Sequence, residues 1–175
     1  MAGIHTAIAL LILFFTATTV RADTLLDAYN YDASAPLDPA VREMSKNRDF
    51  TQFHVEFNGA HGERVPALLN IPTHAEQPMP CVIAQHGYSS RKEANLIFAL
   101  ALARIGICMF AIDAQYHGER AQAGKDIFST EIESDARALI QTVIDLRRAV
   151  DYLQSRQDVD PDRIGYVGVS MGGIL

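Results

Sequence analysis

A serine between two glycines lies near the end of the sequence, in the pentapeptide Gly168-Val169-Ser170-Met171-Gly172. The pattern G-x-S-x-G is typical of a nucleophilic serine on a sharp turn between a buried strand and a helix. Small residues are needed on either side because the turn brings the backbones of strand and helix together. A serine hydroxyl is a weak nucleophile until a neighbouring base activates it. The motif therefore predicts acyl transfer, with Ser170 as the attacking group.

Acyl transfer also needs hydrogen-bond donors for the developing oxyanion, and backbone N–H groups supply them best. One expected donor is the N–H of Met171, directly after the serine. The other is expected in the loop 86–90, which enters a helix whose dipole favours negative charge. Within that loop we expect the N–H of Tyr88 to be the second donor. Gly87 by itself would favour an ordinary strand-to-helix turn, and the serine motif downstream shifts the preference to the catalytic interpretation.

Three continuous apolar runs predict the strands that position these loops. They cover residues 81–84, 107–113 and 164–169. Such runs are typical of strands buried on both faces of a parallel sheet. The last run leads directly into the serine motif, and the residues before it, 157–163, are predicted to form a turn. The strand that the motif requires is therefore present.

Two amphipathic helices are predicted between these strands. Ser90 and Glu93 fit a capping box at the start of the first helix, and Gly106 fits its end. Thr130 and Glu133 are a second candidate capping box, ahead of a longer helix with a single apolar stripe. Strands that alternate with helices indicate a parallel sheet with helices on both sides.

The N-terminal part of the chain has a different pattern. Residues 50–57 alternate between apolar and polar side chains, which predicts a half-buried strand. Residues 64–72 predict a second strand, in which Pro66 suggests a position at the edge of the sheet. The two strands form a β-hairpin, and a polar, irregular segment over residues 23–49 precedes it. The predicted fold class is α/β, a mostly parallel, doubly wound sheet with an N-terminal β-hairpin.

Three segments resemble the N-terminal half of an α/β-hydrolase: PCVIAQHGYSS, FAIDAQYHGER and LQSRQDVDPDRIGYVGVSMGG. The closest resemblance is to the dienelactone-hydrolase and prolyl-oligopeptidase-like branch, and it spans residues 50–175. It implies a serine hydrolase that acts on a small-molecule ester or a peptide. It also implies a Ser-His-Asp triad with no metal or organic cofactor.

The resemblance also implies that the domain is truncated after the serine turn. In that family the triad acid and histidine follow the serine, so both would lie beyond residue 175. About three more strands, on the order of 90 residues at about 30 per strand–helix unit, would complete the sheet. We therefore expect this chain to be the front part of a hydrolase. Alone it should be poorly soluble and nearly inactive, since the strand 164–169 would lack its later neighbour.

Several other residues near the predicted site have side chains that could do chemistry. His86 and His117 follow the first two central strands, but the resemblance implies that they shape the pocket and do not act as the base. Asp113 and His117 could suggest a metal pair, yet no third ligand is evident. We expect Asp113 to cap its loop through backbone hydrogen bonds. No metal or cofactor site is predicted.

The remaining polar residues of interest are predicted to have structural roles. His54, His61 and His74 lie on the hairpin side and are expected to be solvated. Glu119 and Arg120 are expected to form a solvated or loop-bracing pair.

The first residues have the layout of a secretory signal peptide. An apolar run covers residues 8–20, and Val20-Arg21-Ala22 puts small residues at positions −3 and −1 of a cut before Asp23. The run is shorter than the roughly 20 residues that a membrane helix needs, although no Lys or Arg precedes it. The predicted organisation is a signal peptide over 1–22, then the segment 23–49, then the hydrolase part over 50–175. This organisation predicts a secreted or periplasmic protein that has no membrane anchor after cleavage of the signal peptide.

Composition limits the remaining possibilities. The 175 residues are 49% apolar and 21% charged, which indicates a globular protein. The net charge is −6, and loss of Arg21 with the signal peptide leaves 14 basic and 21 acidic residues, a net charge of −7. An acidic chain without a basic cluster repels phosphate backbones, so nucleic acid is excluded as a partner. The two cysteines, Cys81 and Cys108, could pair, but buried cysteines are more often free apolar residues.

Three functions stay open at this point. The first is a secreted serine hydrolase of ester or peptide bonds. The second is a catalytically dead α/β-hydrolase-like binding module. The third is a non-enzymatic α/β domain with a chance G-x-S-x-G, and it is disfavoured because strand, oxyanion loop and serine turn occur in the expected order.

Overall fold

Six strands form one sheet in a computed structural model that describes residues 26–175. The strands are β1 (Ala40–Lys46), β2 (Phe50–Asn58), β3 (Arg64–Pro72), β4 (Met79–Gln85), β5 (Cys108–Ile112) and β6 (Val159–Gly168). The helices are α1 (Leu96–Arg104) and α2 (Ile132–Gln154), with 3₁₀ turns at Asp27–Tyr29, Lys92–Asn95, Gly118–Arg120 and Ser170–Gly173. The predicted signal peptide lies outside the described residues. Over residues 26–175 no helix is long and apolar enough to cross a bilayer.

The strand order is β1-β2-β3-β5-β4-β6. The first three strands pair antiparallel with their neighbours, whereas β4 pairs in parallel with both β5 and β6. The predicted α/β class, the N-terminal hairpin and the parallel strand–helix half are therefore confirmed. The sheet is mixed and not mostly parallel, since three of its five strand pairings are antiparallel. Because β4, β5 and β6 are parallel, the loops that follow them lie at the same edge.

Two predictions about the N-terminal part were wrong. The segment predicted as irregular over residues 23–49 contains β1, whose register places Val41 opposite Val55. Pro66 lies in β3, between β2 and β5, and not in an edge strand. The absence of an N–H at Pro66 is tolerated because pairing between β3 and β5 stops at the neighbouring Ala67. Just beyond this end of the ladder, the Pro66 carbonyl oxygen accepts a hydrogen bond from the backbone N–H of Asp113. A proline at the end of a ladder removes no ladder hydrogen bond.

Element boundaries also differ from the prediction. Residues 157–163 are mostly strand, since β6 begins at Val159 and pairs with Met79 of β4. Neither helix has a side-chain N-cap hydrogen bond, so both predicted capping boxes are wrong. Before α2, the carboxylate of Asp135 instead accepts hydrogen bonds from the backbone N–H and the hydroxyl of Ser129. The end of α1 at Gly106 is confirmed by its φ of 76°.

The sheet is packed on both faces. Phe57, Phe110 and Tyr152 pack against one another between the sheet and α2, with the Phe57 and Tyr152 rings stacked at 5.8 Å. Smaller side chains, such as Ala99 and Ala111, fill the space beside α1.

A disulfide joins the two strands at the centre of the parallel half. Cys81 of β4 and Cys108 of β5 are register partners, and their Cα atoms lie 4.5 Å apart. The expectation of free thiols was wrong, because neighbouring register positions bring the two side chains within bonding reach.

Candidate active site

Ser170 lies on the sharp turn that the motif predicts. Its φ is 52°, in the left-handed region that non-glycine residues rarely adopt. The turn follows β6 directly and opens the 3₁₀ turn Ser170–Gly173. A strained backbone at a serine between a strand and a helical turn is the geometry of a nucleophile presented at a sheet edge.

The two glycines of the motif are required by packing. A Cβ atom at Gly168 would overlap the carbonyl group of Gly172. A Cβ atom at Gly172 would lie 2.6 Å from the carbonyl oxygen of Gln85 and 2.9 Å from that of His86. The turn is therefore pressed against the end of β4, and a hydrogen bond of 3.1 Å from the N–H of Val169 to the Gln85 carbonyl fixes it there.

The predicted oxyanion loop passes beside the serine. A Cβ atom at Gly87 would lie 3.2 Å from the carbonyl oxygen of Val169 and 3.4 Å from the Cβ atom of Ser170. Among the residues that the structure describes, the N–H groups of Tyr88 and Met171 have no hydrogen-bond acceptor. Two such donors on either side of a serine could bind an oxyanion.

Contacts with neighbouring side chains fix the orientation of the Tyr88 side chain. Its hydroxyl donates a hydrogen bond of 2.8 Å to Asp126. Its ring packs edge-on against His117 and Phe128, at 5.8 and 5.2 Å between centroids. The hydrogen bond from Tyr88 lowers the pKa of Asp126, so the acceptor stays ionised.

Neither nearby histidine offers a free nitrogen to Ser170. The Nε2 atom of His86 accepts the N–H of Ala114 at 3.1 Å, and its Nδ1 atom lies 2.8 Å from the Gly87 carbonyl oxygen. The ring of His117 is likewise engaged at both nitrogens. Burial lowers the pKa of His86, which favours the neutral ring. The pocket-shaping role that the resemblance implied for both stays a prediction.

Asp113 caps its loop as expected, and it also has a partner that the sequence did not reveal. Its carboxylate accepts the N–H of Glu119 at 3.0 Å and the N–H of Lys92 at 2.8 Å. It also binds the Lys92 ammonium at 2.7 Å, and both side chains are almost completely buried. No local spacing could have predicted this pair, because the two residues follow different strands. The pair anchors the end of the oxyanion loop to the loop after β5.

A group of possible metal ligands lies behind this pair. One ligand atom each from His54, Glu56 and Glu119 lies within 4.8 Å of the others. The Lys92 ammonium is 2.5 Å from the Glu119 oxygen that also lies 3.0 Å from His54 Nε2. Burial raises the pKa of Glu119, but the hydrogen bonds from Lys92 and His54 outweigh burial and lower it. A lysine therefore already neutralises the carboxylate that a cation would need.

Two expectations about this region were wrong. His54 is not solvated, because only 15% of its side chain is exposed beside Glu119. Glu119 and Arg120 do not pair with each other. Arg120 instead binds Glu63 and the buried Asp145, each at 2.7 Å, and braces the loop from its other side.

Comparison with known proteins identifies the family. The family model of the acetyl xylan esterases (AXE1) matches residues 22–175. The Bacillus subtilis (strain 168) protein YtaP is 35% identical over 127 residues, which is 65% of this chain and 42% of that protein. Esterase YjfP of Escherichia coli (strain K12) is 27% identical over 111 residues, which is 63% of this chain and 43% of that protein. The matched part of this chain therefore covers less than half the length of these relatives.

Solved structures show the same fold. Acetyl xylan esterase 1 from Thermoanaerobacterium sp. JW/SL YS485 matches with a TM-score of 0.68 and 22% identity, over 86% of this chain and 50% of that chain. The acetyl xylan esterase from Paenibacillus sp. R4 matches with a TM-score of 0.65 and 24% identity, over 83% of this chain and 49% of that chain. These structures show a shared fold, and together with the family model they confirm the α/β-hydrolase superfamily. The likeness to the dienelactone-hydrolase branch stays a prediction. The chain belongs to the acetyl xylan esterase family.

Proposed function

We propose that this chain is the N-terminal part of an exported serine esterase in which Ser170 is the nucleophile. The proposal rests chiefly on the geometry around Ser170. This residue lies in a left-handed turn, the Gly87 loop packs against the turn, and the N–H groups of Tyr88 and Met171 have no acceptor. Relatives named as esterases favour an ester over a peptide substrate. The family name favours a small acyl group such as acetyl.

The proposed reaction has two halves. The Ser170 hydroxyl oxygen bonds to the ester carbonyl carbon while a base takes the hydroxyl proton. The carbonyl oxygen becomes an oxyanion held by the N–H groups of Tyr88 and Met171. The intermediate collapses with loss of the alcohol, which receives the proton, and leaves an acyl-serine. Water then attacks the acyl carbon and releases the carboxylic acid together with free Ser170.

We propose that the triad base and acid come from residues that follow this chain in a longer protein. The nitrogens of His86 and His117 are engaged with the backbone. The relatives are about twice as long as the matched region, and the family order places acid and base after the serine. Residues 26–175 by themselves should therefore turn over esters very slowly.

Export is part of the proposal. The apolar run and the Val20-Arg21-Ala22 site indicate a cleaved signal peptide. The disulfide between Cys81 and Cys108 supports this, since disulfides persist in oxidising compartments such as the periplasm or the medium.

The test compares the full reading frame of the gene with residues 23–175, each with native Ser170 and with Ser170→Ala. Hydrolysis of p-nitrophenyl acetate and labelling by a fluorophosphonate probe are measured. We expect the full frame to hydrolyse the ester and to label at Ser170, and the short chain to do so far more slowly. Hydrolysis that survives Ser170→Ala would reject the nucleophile. Equal labelling of both lengths would show that a base lies within residues 23–175. A full frame that binds ester without hydrolysis would indicate the binding module.

A further inference from the structure

Two histidines tie the loops that follow β4 and β5 to each other in a reciprocal way. His86, at the end of β4, accepts the backbone N–H of Ala114 from the loop after β5 at 3.1 Å. His117, in the loop after β5, accepts the backbone N–H of Ser89 from the loop after β4 at 3.3 Å. The ring centroids lie 5.2 Å apart. Each loop thus provides an acceptor for the other, and we call this pair of contacts the histidine brace.

The second nitrogen of each ring determines the tautomer. Nδ1 of His86 lies 2.8 Å from the Gly87 carbonyl oxygen, and Nδ1 of His117 lies 2.9 Å from the Gln115 carbonyl oxygen. A carbonyl oxygen can only accept, so Nδ1 must carry the hydrogen in both rings. Nε2 then has the lone pair that accepts the N–H from the other loop. A protonated ring has no lone pair at Nε2 and would lose this contact.

The brace holds strained backbone at the point where the oxyanion loop needs a defined shape. Ser89 has a φ of 55° and Tyr116 a φ of 60°, both unusual for residues other than glycine. Such strained backbone persists only where the surrounding structure imposes it. Tyr88 lies between Gly87, whose carbonyl oxygen accepts the Nδ1–H of His86, and Ser89, whose N–H donates to His117. Both histidines are at least nine-tenths buried, so water cannot easily replace their hydrogen bonds.

We propose that His86 and His117 are positioning residues, which as neutral Nδ1–H tautomers hold the Tyr88 N–H in place for the oxyanion. This inference rests on the proposed function, because it takes the Tyr88 N–H as a donor to that oxyanion. Neither histidine exchanges a proton with Ser170 in this role. The brace acts on the transition state through backbone geometry, so its loss lowers kcat and leaves ground-state binding of the ester largely unchanged.

The first test reads the tautomers directly. Two-bond proton–nitrogen correlation spectra of ¹⁵N-labelled full-frame protein at neutral pH distinguish the two ring nitrogens. We expect an unprotonated Nε2 and a protonated Nδ1 for both His86 and His117. The exposed His61 and His74 serve as references for solvated rings. An Nε2–H tautomer or a charged ring at either brace histidine would overturn the proposal, whatever the enzyme activity.

The second test uses a matched pair of variants at position 117. His117→Leu removes the acceptor, and His117→Gln restores one through its side-chain oxygen. We expect His117→Leu to lower kcat by about 100-fold, the loss that a misplacement of about 1 Å can cause, with little change in KM. His117→Gln should recover most of that loss. His74→Gln, at an exposed site, should match the parent protein.

The outcomes separate the two proposals. If Ser170→Ala keeps full activity, the proposed nucleophile is wrong, while the tautomer spectra still decide whether the brace exists. If Ser170→Ala is inactive but His117→Leu keeps its kcat, the positioning role is wrong. Equal loss of kcat in His117→Leu and His117→Gln would also overturn the role, since the acceptor would then not matter. If His117→Leu does not fold, His117→Gln and the spectra of the parent protein carry the test.

Discussion

The backbone of Gly172 lies directly against the carbonyl oxygen of Gln85, so a Cβ atom at position 172 would be only 2.6 Å from it. The carbonyl cannot move aside easily, because it accepts the N–H of Val169 at 3.1 Å. The serine turn and the end of β4 are therefore one packed unit. This explains why the motif requires glycine two residues after the serine.

Gly172→Ala should destabilise the protein and slow the labelling of Ser170. We expect the free energy of unfolding to fall by about 1–3 kcal/mol, as for other substitutions that overpack a tight site. Urea denaturation and the fluorophosphonate labelling rate check this. Gly165→Ala is the matched control, since its Cβ would make an ordinary contact of 3.8 Å with Val82. Equal effects of the two substitutions would contradict the packing argument.

Asp113→Ala should be among the most destabilising single substitutions. It leaves the Lys92 ammonium, with 1% of its side chain exposed, paired chiefly with the half-exposed Glu119. Breaking one half of a fully buried pair costs about 3–5 kcal/mol, and the remaining pair with Glu119 should keep the loss near the lower end of that range. Lys92→Met combined with Asp113→Ala should cost less than the sum of the single changes, as measured by urea denaturation. Glu133→Gln breaks the exposed pair with Arg137 and should cost less than about 1 kcal/mol. Strict additivity of the double variant would argue against coupling.

Stability should depend on the protonation of His86. Burial lowers its pKa, with a smaller contribution from His117, while the Gly87 carbonyl and the carboxylates of Asp113 and Glu93 oppose the shift. Below about pH 6.5, the usual pKa of histidine, His86 binds a proton more readily in the unfolded chain than in the folded chain. The free energy of unfolding should therefore fall as the pH drops below that value and be independent of His86 above it.

The His86→Gln variant isolates this contribution. Urea denaturation of the parent and of the variant between about pH 5 and 8 covers the range where histidine titrates. The difference in unfolding free energy between the two proteins should shrink as the pH falls. A difference that is constant across the range would show that His86 does not titrate with a lowered pKa.

The disulfide should add stability through the unfolded state. Cys81 and Cys108 are 27 residues apart, and closing a loop of that size contributes about 3–4 kcal/mol. Protein unfolded without reductant should show no free thiol in a thiol-reactive assay, and reduction should lower the urea midpoint. The Cys81→Ala/Cys108→Ala double variant should resemble the reduced protein and respond to no reductant. Two free thiols in the unreduced protein would contradict the pairing.

Features that depend on a few neighbouring residues could be predicted from the sequence. Apolar runs predicted the three parallel strands, and Gly106 predicted the end of α1. The motif predicted the turn at Ser170, and its context predicted a loop beside it. The roles of Ser170, Tyr88 and Met171 in catalysis stay predictions. Pro66 was misplaced because a proline indicates only a missing N–H, and the ladder end that tolerates it is formed by a distant strand.

Local patterns were enough to predict the α/β class, the alternating strands and helices of the parallel half and the serine turn, because periodicity, turn residues and glycine spacing act over a few residues. Which polar groups meet depends on the tertiary fold. Lys92 finds Asp113, and His86 and His117 bind each other's loops, because parallel strands bring their carboxyl ends to one edge of the sheet. The partners in these contacts lie 21 to 28 residues apart in the chain, where no local pattern relates them. Because these side chains are buried, Lys92 and Asp113 are favoured as an ion pair and the two histidines as neutral rings. A buried charge without a partner would cost several kcal/mol.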